Sequence, residues 1–185
     1  MGKRLFVSID LDGLDQAVAE IQDLFADAPG LNLTDPSQAH VTMQFLGDTP
    51  GHRVADVAEA LDAAVDEAGV DPFTAEFGGL GVFPSLEYIS VVWLGVRDGS
   101  DEMTRLQAAI EPRLVALGFD ESDNDFTPHV TLARMEHAGG KELVQQIVRE
   151  EDPTAGILDV DEVRLTESTL TDEGPEYTTL KRFEL

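Results

Sequence analysis

Two short phrases of the chain carry a histidine and a threonine at the same spacing. One reads HVTMQFL from His40, and the other reads HVTLAR from His129, 89 residues later. Side chains at positions i and i+2 of a β-strand point to the same face of a sheet. Each phrase therefore predicts a strand that presents an imidazole and a hydroxyl together, from His40 and Thr42 in one strand and His129 and Thr131 in the other.

This set of side chains suits displacement at phosphorus, in which the attacking and leaving oxygens lie on opposite sides. One side needs a base for the proton of water, and the other needs an acid for the leaving oxygen. Histidine fills either role near neutral pH, and each role is typically worth about 10²–10⁴ in rate. Thr42 and Thr131 would hold the non-bridging oxygens. The alternative is a packing coincidence between two buried strands.

The elements around the two phrases repeat as strand, helix, histidine strand and helix. Apolar periodicity predicts the order βαβαββαβαββ and reads GGLGVFPS at 78–85 as a turn-rich connection. This pattern indicates an α+β fold of two pseudo-symmetric lobes, each an antiparallel sheet with outer helices, and an active-site cleft between the sheets. Residues 1–185 are expected to form one bilobal domain. The first predicted helix is capped by Asp12 or Asp15 and runs to about Ala26. The other predicted helices cover about 54–68, 101–117 and about 141–149, and a late strand covers 157–168.

Composition excludes several classes of protein. The chain has no cysteine, so a disulfide framework, a thiolate zinc site and a cysteine nucleophile are all ruled out. No apolar stretch approaches the roughly 18 residues of a membrane-spanning helix. Apolar residues make up 42% of the chain, which is typical of a folded protein. We therefore expect a soluble cytoplasmic protein that is a monomer and makes no membrane contact.

The charge balance predicts a dependence of stability on salt. Asp and Glu number 37 against 12 for Lys and Arg, for a net charge of −25. Self-repulsion of this size strains a folded state, but the screening length falls to about 3 Å in molar salt. We interpret the surface as an adaptation to a salt-rich cytoplasm of the kind found in halophilic archaea; the alternative is an ordinary acidic protein. The free energy of unfolding should rise between low and molar KCl in denaturant titrations, and a flat response would contradict this interpretation.

A set of motifs in a fixed order resembles one known family. HVTMQFLGD at 40–48 and PHVTLAR at 128–134 look like the paired signatures of the two-histidine phosphoesterase superfamily. The chain is most similar to the branch of RNA 2′,3′-cyclic phosphodiesterases once named 2′–5′ RNA ligases. The resemblance covers nearly the whole chain and also includes RLFVSIDL, FGGLGVFPS, WLGV and the closing LTESTLTDEGPEYTTLKRFEL.

The resemblance implies hydrolysis of a terminal 2′,3′-cyclic phosphate to a 2′-phosphate, without a metal or a cofactor. His40 and His129 match the two catalytic histidines, and Thr42 and Thr131 match their hydroxyl partners. The resemblance makes His40 the proton donor to the 3′ oxygen and His129 the proton acceptor from water. The expected two-fold symmetry of the two lobes makes these roles look interchangeable from sequence. The partner would be an RNA 3′ end with a cyclic phosphate, tRNA fragments included, and reverse 2′–5′ ligation is a further implied activity.

Two further residues match substrate-binding positions of the family. Arg134 matches a phosphate contact, but strict alternation from His129 would point it to the opposite face of the strand. A bulge or the end of the strand must therefore turn Arg134 inward. Phe45 matches an aromatic position, for which stacking on the terminal base and packing in the core are equally good interpretations.

The basic residues are too few to form the stripe that is typical of RNA-binding proteins. They concentrate near the predicted sheets, which suggests a small positive cleft made by Lys3, Arg4, Arg134, Lys181 and Arg182. The segments NLTDPSQA and LEYIS lack the tryptophan and the basic residues common in the family, so recognition is expected to stop at the terminal one or two nucleotides.

Two other classes of function remain open at the level of sequence. A metal-dependent phosphoesterase would use His40, His129 and nearby acids as ligands. A non-catalytic module that binds RNA ends or nucleotides would keep the fold and tolerate loss of either histidine.

Overall fold

Nine antiparallel strands form one sheet in the computed structural model, which describes residues 2–122 and 125–185. Their order across the sheet is β7-β4-β5-β6-β3-β1-β8-β9, and β2 pairs with β6 beside this path. The strands are β1 (Gly2–Asp10), β2 (Leu31–Leu33), β3 (His40–Pro50), β4 (Phe73–Pro84), β5 (Ile89–Val96), β6 (His129–Met135), β7 (Thr154–Val160), β8 (Glu162–Thr171) and β9 (Gly174–Glu184).

The α+β class is confirmed, and the prediction of two separate sheets is corrected. The strands that carry the two histidines, β3 and β6, lie side by side at the centre and pair at Val41 and Val130. Both strands are buried on one face, and their edges would leave backbone N–H and C=O groups without partners if they remained apart. Pairing β3 with β6 joins four strands on each side into one continuous sheet. The repeated phrases are therefore neighbours in space.

Four helices cover one face of this sheet: α1 (Asp15–Gln22), α2 (Val54–Ala68), α3 (Ser100–Ala116) and α4 (Lys141–Glu150). The helix α1 follows β1 but packs against β6 and β7, while α3 follows β5 but packs against β3. Their apolar sides join the inward residues of the strands in one core, which includes Leu61, Leu106, Leu132 and Leu165. The other face of the central strands carries the histidines, and no helix of residues 2–122 or 125–185 covers it.

The helix predictions agree with the structure within a few residues, except that α1 ends at Gln22 and continues as a 3₁₀ turn. The predicted strand at 157–168 is two strands, β7 and β8. Pro112 lies within α3 without dividing it. No helix among the described residues is long and apolar enough to cross a membrane.

The prediction of a turn at GGLGVFPS was wrong, because this segment is the second half of β4. Its glycines serve close packing across the sheet. A Cβ atom at Gly81 would lie 2.2 Å from the ring of Trp93, and one at Gly78 would lie 2.7 Å from the guanidinium of Arg97. The glycine-rich composition reflects side chains that lie over the strand, and sequence alone does not distinguish this from a turn.

Candidate active site

The four residues of the two phrases lie on the same face of two neighbouring strands. Val41 and Val130 are opposite each other in the ladder between β3 and β6, and both are fully buried toward the helices. The residues on either side of them therefore point to the other face. This arrangement brings His40 and Thr42 together with His129 and Thr131, as the sequence predicted.

A backbone carbonyl fixes the orientation of each imidazole. The Nδ1 atom of His40 lies 2.9 Å from the carbonyl oxygen of Gln38, and that of His129 lies 2.7 Å from the carbonyl oxygen of Thr127. A carbonyl oxygen only accepts, so Nδ1 must carry the proton in both rings. Nε2 is then the atom that takes up or gives a proton. In His40 this atom is 3.0 Å from Thr42 Oγ1, which donates to it when the ring is neutral.

Burial has the largest influence on both imidazoles and lowers the pKa of His40 and of His129 below the ordinary value. The carbonyl bonds oppose this effect because they favour the protonated rings, and Arg134 adds to it by charge repulsion. In the free protein at neutral pH, both rings are therefore mainly neutral. A bound phosphate anion would favour protonation of the ring that acts as the acid.

A β-bulge in each strand turns one more residue onto the face of the histidines. In β3 the pairing with β1 skips Met43, and in β6 the pairing with β5 skips Leu132. Each bulge reverses the alternation that follows it. Phe45 and Arg134, which come next at equivalent places in the two phrases, therefore lie on the open face. The bulge anticipated for Arg134 is present.

Phe45 and Arg134 are both solvent-exposed. Phe45 is 67% exposed, which excludes the interpretation that it packs in the core. The charge of Arg134 contributes to the lowered pKa of both histidines. Burial raises the pKa of Tyr177, and the charge of Arg134 partly opposes this effect. The guanidinium charge therefore acts on both histidines and on Tyr177.

Buried polar contacts hold the bulge in β6. The carbonyl oxygen of Leu132 accepts hydrogen bonds from Thr34 N, Thr34 Oγ1 and Gln22 Nε2, at 3.0, 3.1 and 3.0 Å. Thr34 Oγ1 also lies 3.0 Å from the carbonyl oxygen of Thr131, and Gln22 is only 4% exposed. The carbonyl groups around the bulge thus have hydrogen-bond partners in Gln22 and Thr34.

Aromatic rings flank each histidine, and these were not anticipated from the sequence. The ring of His40 is 4.9 Å from that of Phe6 and 5.3 Å from that of Tyr177. The ring of His129 is 4.9 Å from that of Phe83 and 6.0 Å from that of Trp93. Each of these residues lies inside a stretch already quoted for the family resemblance. The sequence did not show which of them point to the face that carries the histidines.

The predicted positive cleft is smaller than expected. Lys3 pairs with Glu167, and Arg182 pairs with Glu162, so both charges are neutralised nearby. Lys181 is exposed, and its ammonium group lies over the ring of Phe183, which packs in the core on the helical face of the sheet. Arg134 is the cation whose charge acts on both histidines.

No group of three or more His, Asp or Glu side chains that could hold a metal ion occurs within residues 2–122 and 125–185. The polar groups on this face include the two imidazoles, the two threonine hydroxyls, the guanidinium of Arg134 and the carboxylate of Asp10, which pairs with His40 across the strands.

The two His-Thr pairs on one open face are those of the paired motifs that resemble the two-histidine phosphoesterases. The sequence profile of the 2′-5′ RNA ligase superfamily matches residues 10–172, and the chain belongs to this superfamily. The family resemblance drawn from the motifs is thus confirmed.

Relatives match along the whole chain. The chain is 32% identical to the RNA 2′,3′-cyclic phosphodiesterase of Methanothermobacter thermautotrophicus, with 100% of both chains covered. It is 34% identical to the protein of that name from Archaeoglobus fulgidus, over 98% of this chain and 99% of the relative. A crystal structure of a Thermus thermophilus protein matches with a TM-score of 0.80 at 26% identity, over 98% of this chain and 97% of that one.

Proposed function

We propose that the protein is an RNA 2′,3′-cyclic phosphodiesterase that forms a 2′-phosphomonoester without a metal ion. One observation carries the proposal: His40 and His129 lie on one face of adjacent strands, each with Nδ1 bound to a carbonyl oxygen and Nε2 left for proton transfer. The names of the two archaeal relatives support the substrate class.

In the proposed reaction, His129 Nε2 takes a proton from a water molecule while the oxygen of that water attacks phosphorus. The bond between phosphorus and the 3′ oxygen breaks, and His40 Nε2 gives its proton to that oxygen. The products are a 2′-phosphate and a free 3′ hydroxyl. Solvent exchange then returns a proton to His40 and removes one from His129.

The hydroxyls of Thr42 and Thr131 and the guanidinium of Arg134 stabilise the charge that develops on the non-bridging oxygens. Donors fixed in place before the reaction are effective because they need no reorganisation in the transition state. A planar guanidinium also matches two phosphate oxygens at once, which an ammonium group cannot do.

The exposed ring of Phe45 stacks on the terminal base in this proposal. Sequence-independent stacking fits a surface with a net charge of −25, on which an extended RNA would be repelled. The partner is thus an RNA 3′ end that carries the cyclic phosphate, bound through one or two nucleotides, with tRNA fragments among the candidates.

A 5′ hydroxyl of a second RNA in place of water would give a 2′–5′ linkage through the same steps, which is the proposed reverse activity. We further propose that residues 1–185 act as one bilobal domain with the site where the two halves meet, and that the protein works as a monomer in the cytoplasm.

The deciding experiment is hydrolysis of a 2′,3′-cyclic mononucleotide and of short oligonucleotides with a cyclic end, with EDTA present throughout. We expect turnover on both substrates and a product that carries its phosphate on the 2′ oxygen. Loss of activity in EDTA that one metal ion restores would favour a metal-dependent hydrolase. Binding of the cyclic end without turnover would favour a non-catalytic module, and a strict requirement for a long structured RNA would contradict the proposed mode of recognition.

A further inference from the structure

The two halves of the site differ at the residue paired with each histidine. On β1, Asp10 is the cross-strand partner of His40; on β5, the partner of His129 is Gly95. Directly paired residues share a face of the sheet, with Cβ atoms about 4.5–5.5 Å apart. A carboxylate therefore lies beside His40, and the equivalent position beside His129 has no side chain.

Packing at Gly95 makes this difference a fixed property of the fold. A Cβ atom at Gly95 would lie 2.9 Å from the carbonyl oxygen of Gly78, closer than real contacts allow. No carboxylate can be accommodated at this position without moving the backbone of β4. The pseudo-symmetry of the two phrases is thus broken at the residue paired with each histidine, which is charged beside His40 and has no side chain beside His129.

Hydrogen bonds on both oxygens fix the carboxylate of Asp10. Ser8 Oγ donates to Asp10 Oδ1 at 2.6 Å, and Arg164 Nη1 donates to Oδ2 at 2.8 Å. Arg164 is itself buried and is held by Glu162 at 2.7 Å and by Asp12. The two bonds to Asp10, from Ser8 and from Arg164, favour the ionised carboxylate and limit its movement.

The charged and titratable groups around the two imidazoles affect the pKa of His40 and the pKa of His129 differently. Around His40 are Asp10 on β1, Arg134 and His129 on β6, and Tyr177 on β9. Burial is the dominant influence and lowers the pKa of His40, whereas Asp10 raises it and Arg134 lowers it. For His129, burial again lowers the pKa, and the charges of His40 and Arg134 lower it further.

We propose that Asp10 is a positioning residue that gives the acid role to His40, because its carboxylate stabilises the protonated imidazole of that histidine and not of the other. His129 then stays neutral and takes the proton of water. The proposal rests on the proposed function for the reaction, but the effect of Asp10 on His40 is a property of the protein without substrate.

The first test is a titration of the four histidines by NMR in the free protein, with signals assigned by single His→Gln variants. Asp10→Asn keeps the size and the hydrogen-bonding oxygen of the side chain but removes its charge. The midpoint of His40 should move to lower pH in this variant, while that of His129 should not follow it. Asp12→Asn is the matched control, since Asp12 also binds Arg164 but its side chain is 69% exposed.

The second test is the pH profile of kcat/KM for the cyclic mononucleotide in EDTA. A bell-shaped profile is expected, and its alkaline limb reports loss of the proton from the acid in the free enzyme. Asp10→Asn should shift this limb to lower pH, so that kcat/KM falls by about tenfold near neutrality and recovers at lower pH. Asp12→Asn should leave the profile unchanged.

An unchanged midpoint of His40 in Asp10→Asn, or an equal shift in Asp12→Asn, would overturn the proposal. A loss of kcat that is the same at every pH would also overturn it, since that result would mean a structural role. Failure of the wild-type protein to hydrolyse any cyclic phosphate would contradict the proposed function instead, and the NMR titration would still decide whether Asp10 controls the charge of His40.

Discussion

Replacement of either His40 or His129 by alanine should lower kcat/KM for a 2′,3′-cyclic mononucleotide by about 10²–10⁴, with EDTA present. Each variant removes one of the two proton transfers while leaving the other histidine and Arg134 in place. The loss should fall on kcat, because the imidazoles act on protons that move only in the transition state. Initial rates over a range of substrate concentrations separate kcat from KM.

His52→Ala provides the matched control, because His52 is exposed in a 3₁₀ turn outside the site. It should retain the wild-type rate. The double variant at His40 and His129 should lose little more than the worse single variant, since residues that act as a unit are not additive. A wild-type rate in either single variant would exclude the two-histidine mechanism.

The duplicated phrase predicted the four residues at the centre of the candidate site. Alternation along a strand is a local property, so the shared face of His40 and Thr42 follows from their spacing. The meeting of this face with His129 and Thr131 needed the assumption that the two halves are related by two-fold symmetry. In the structure, the pairing of Val41 with Val130 puts equivalent positions of the two phrases opposite each other. The pairing also shows why two facing sheets were the wrong expectation: the two phrases are adjacent strands.

The residues that support the site were not predictable in the same way. Asp10 lies opposite His40 only because β1 and β3 pair in one particular register. Gln22 reaches the carbonyl group of Leu132 across 110 residues of sequence. The bulge at Leu132 was anticipated only because Arg134 matches a phosphate contact of the family, and the hydrophobic pattern of the strand did not show where it lies. Contacts of this kind depend on the assembled fold, whereas the helices and the motif strands follow from local periodicity.

Replacement of Arg134 by alanine should lower kcat/KM by about 10²–10³, the loss typical of removing one donor from a developing oxyanion. Lysine at this position should recover only part of the rate, since it keeps the charge but not the paired donors. Arg113→Ala is the matched control, because Arg113 is paired with Glu67 on the helical side of the molecule. Its rate should equal that of the wild type.

A change at the bulge in β6 should lower the rate in the same way as replacement of Arg134. Thr34→Val keeps the shape of the side chain but removes the hydroxyl that contacts the carbonyl oxygens of Thr131 and Leu132. If these bonds hold Arg134 on the open face, Thr34→Val should lower kcat in the wild-type background and have little further effect in Arg134→Ala. Such non-additivity is the signature of one residue acting through another. Independent, additive losses would mean that Thr34 stabilises the fold without positioning the guanidinium.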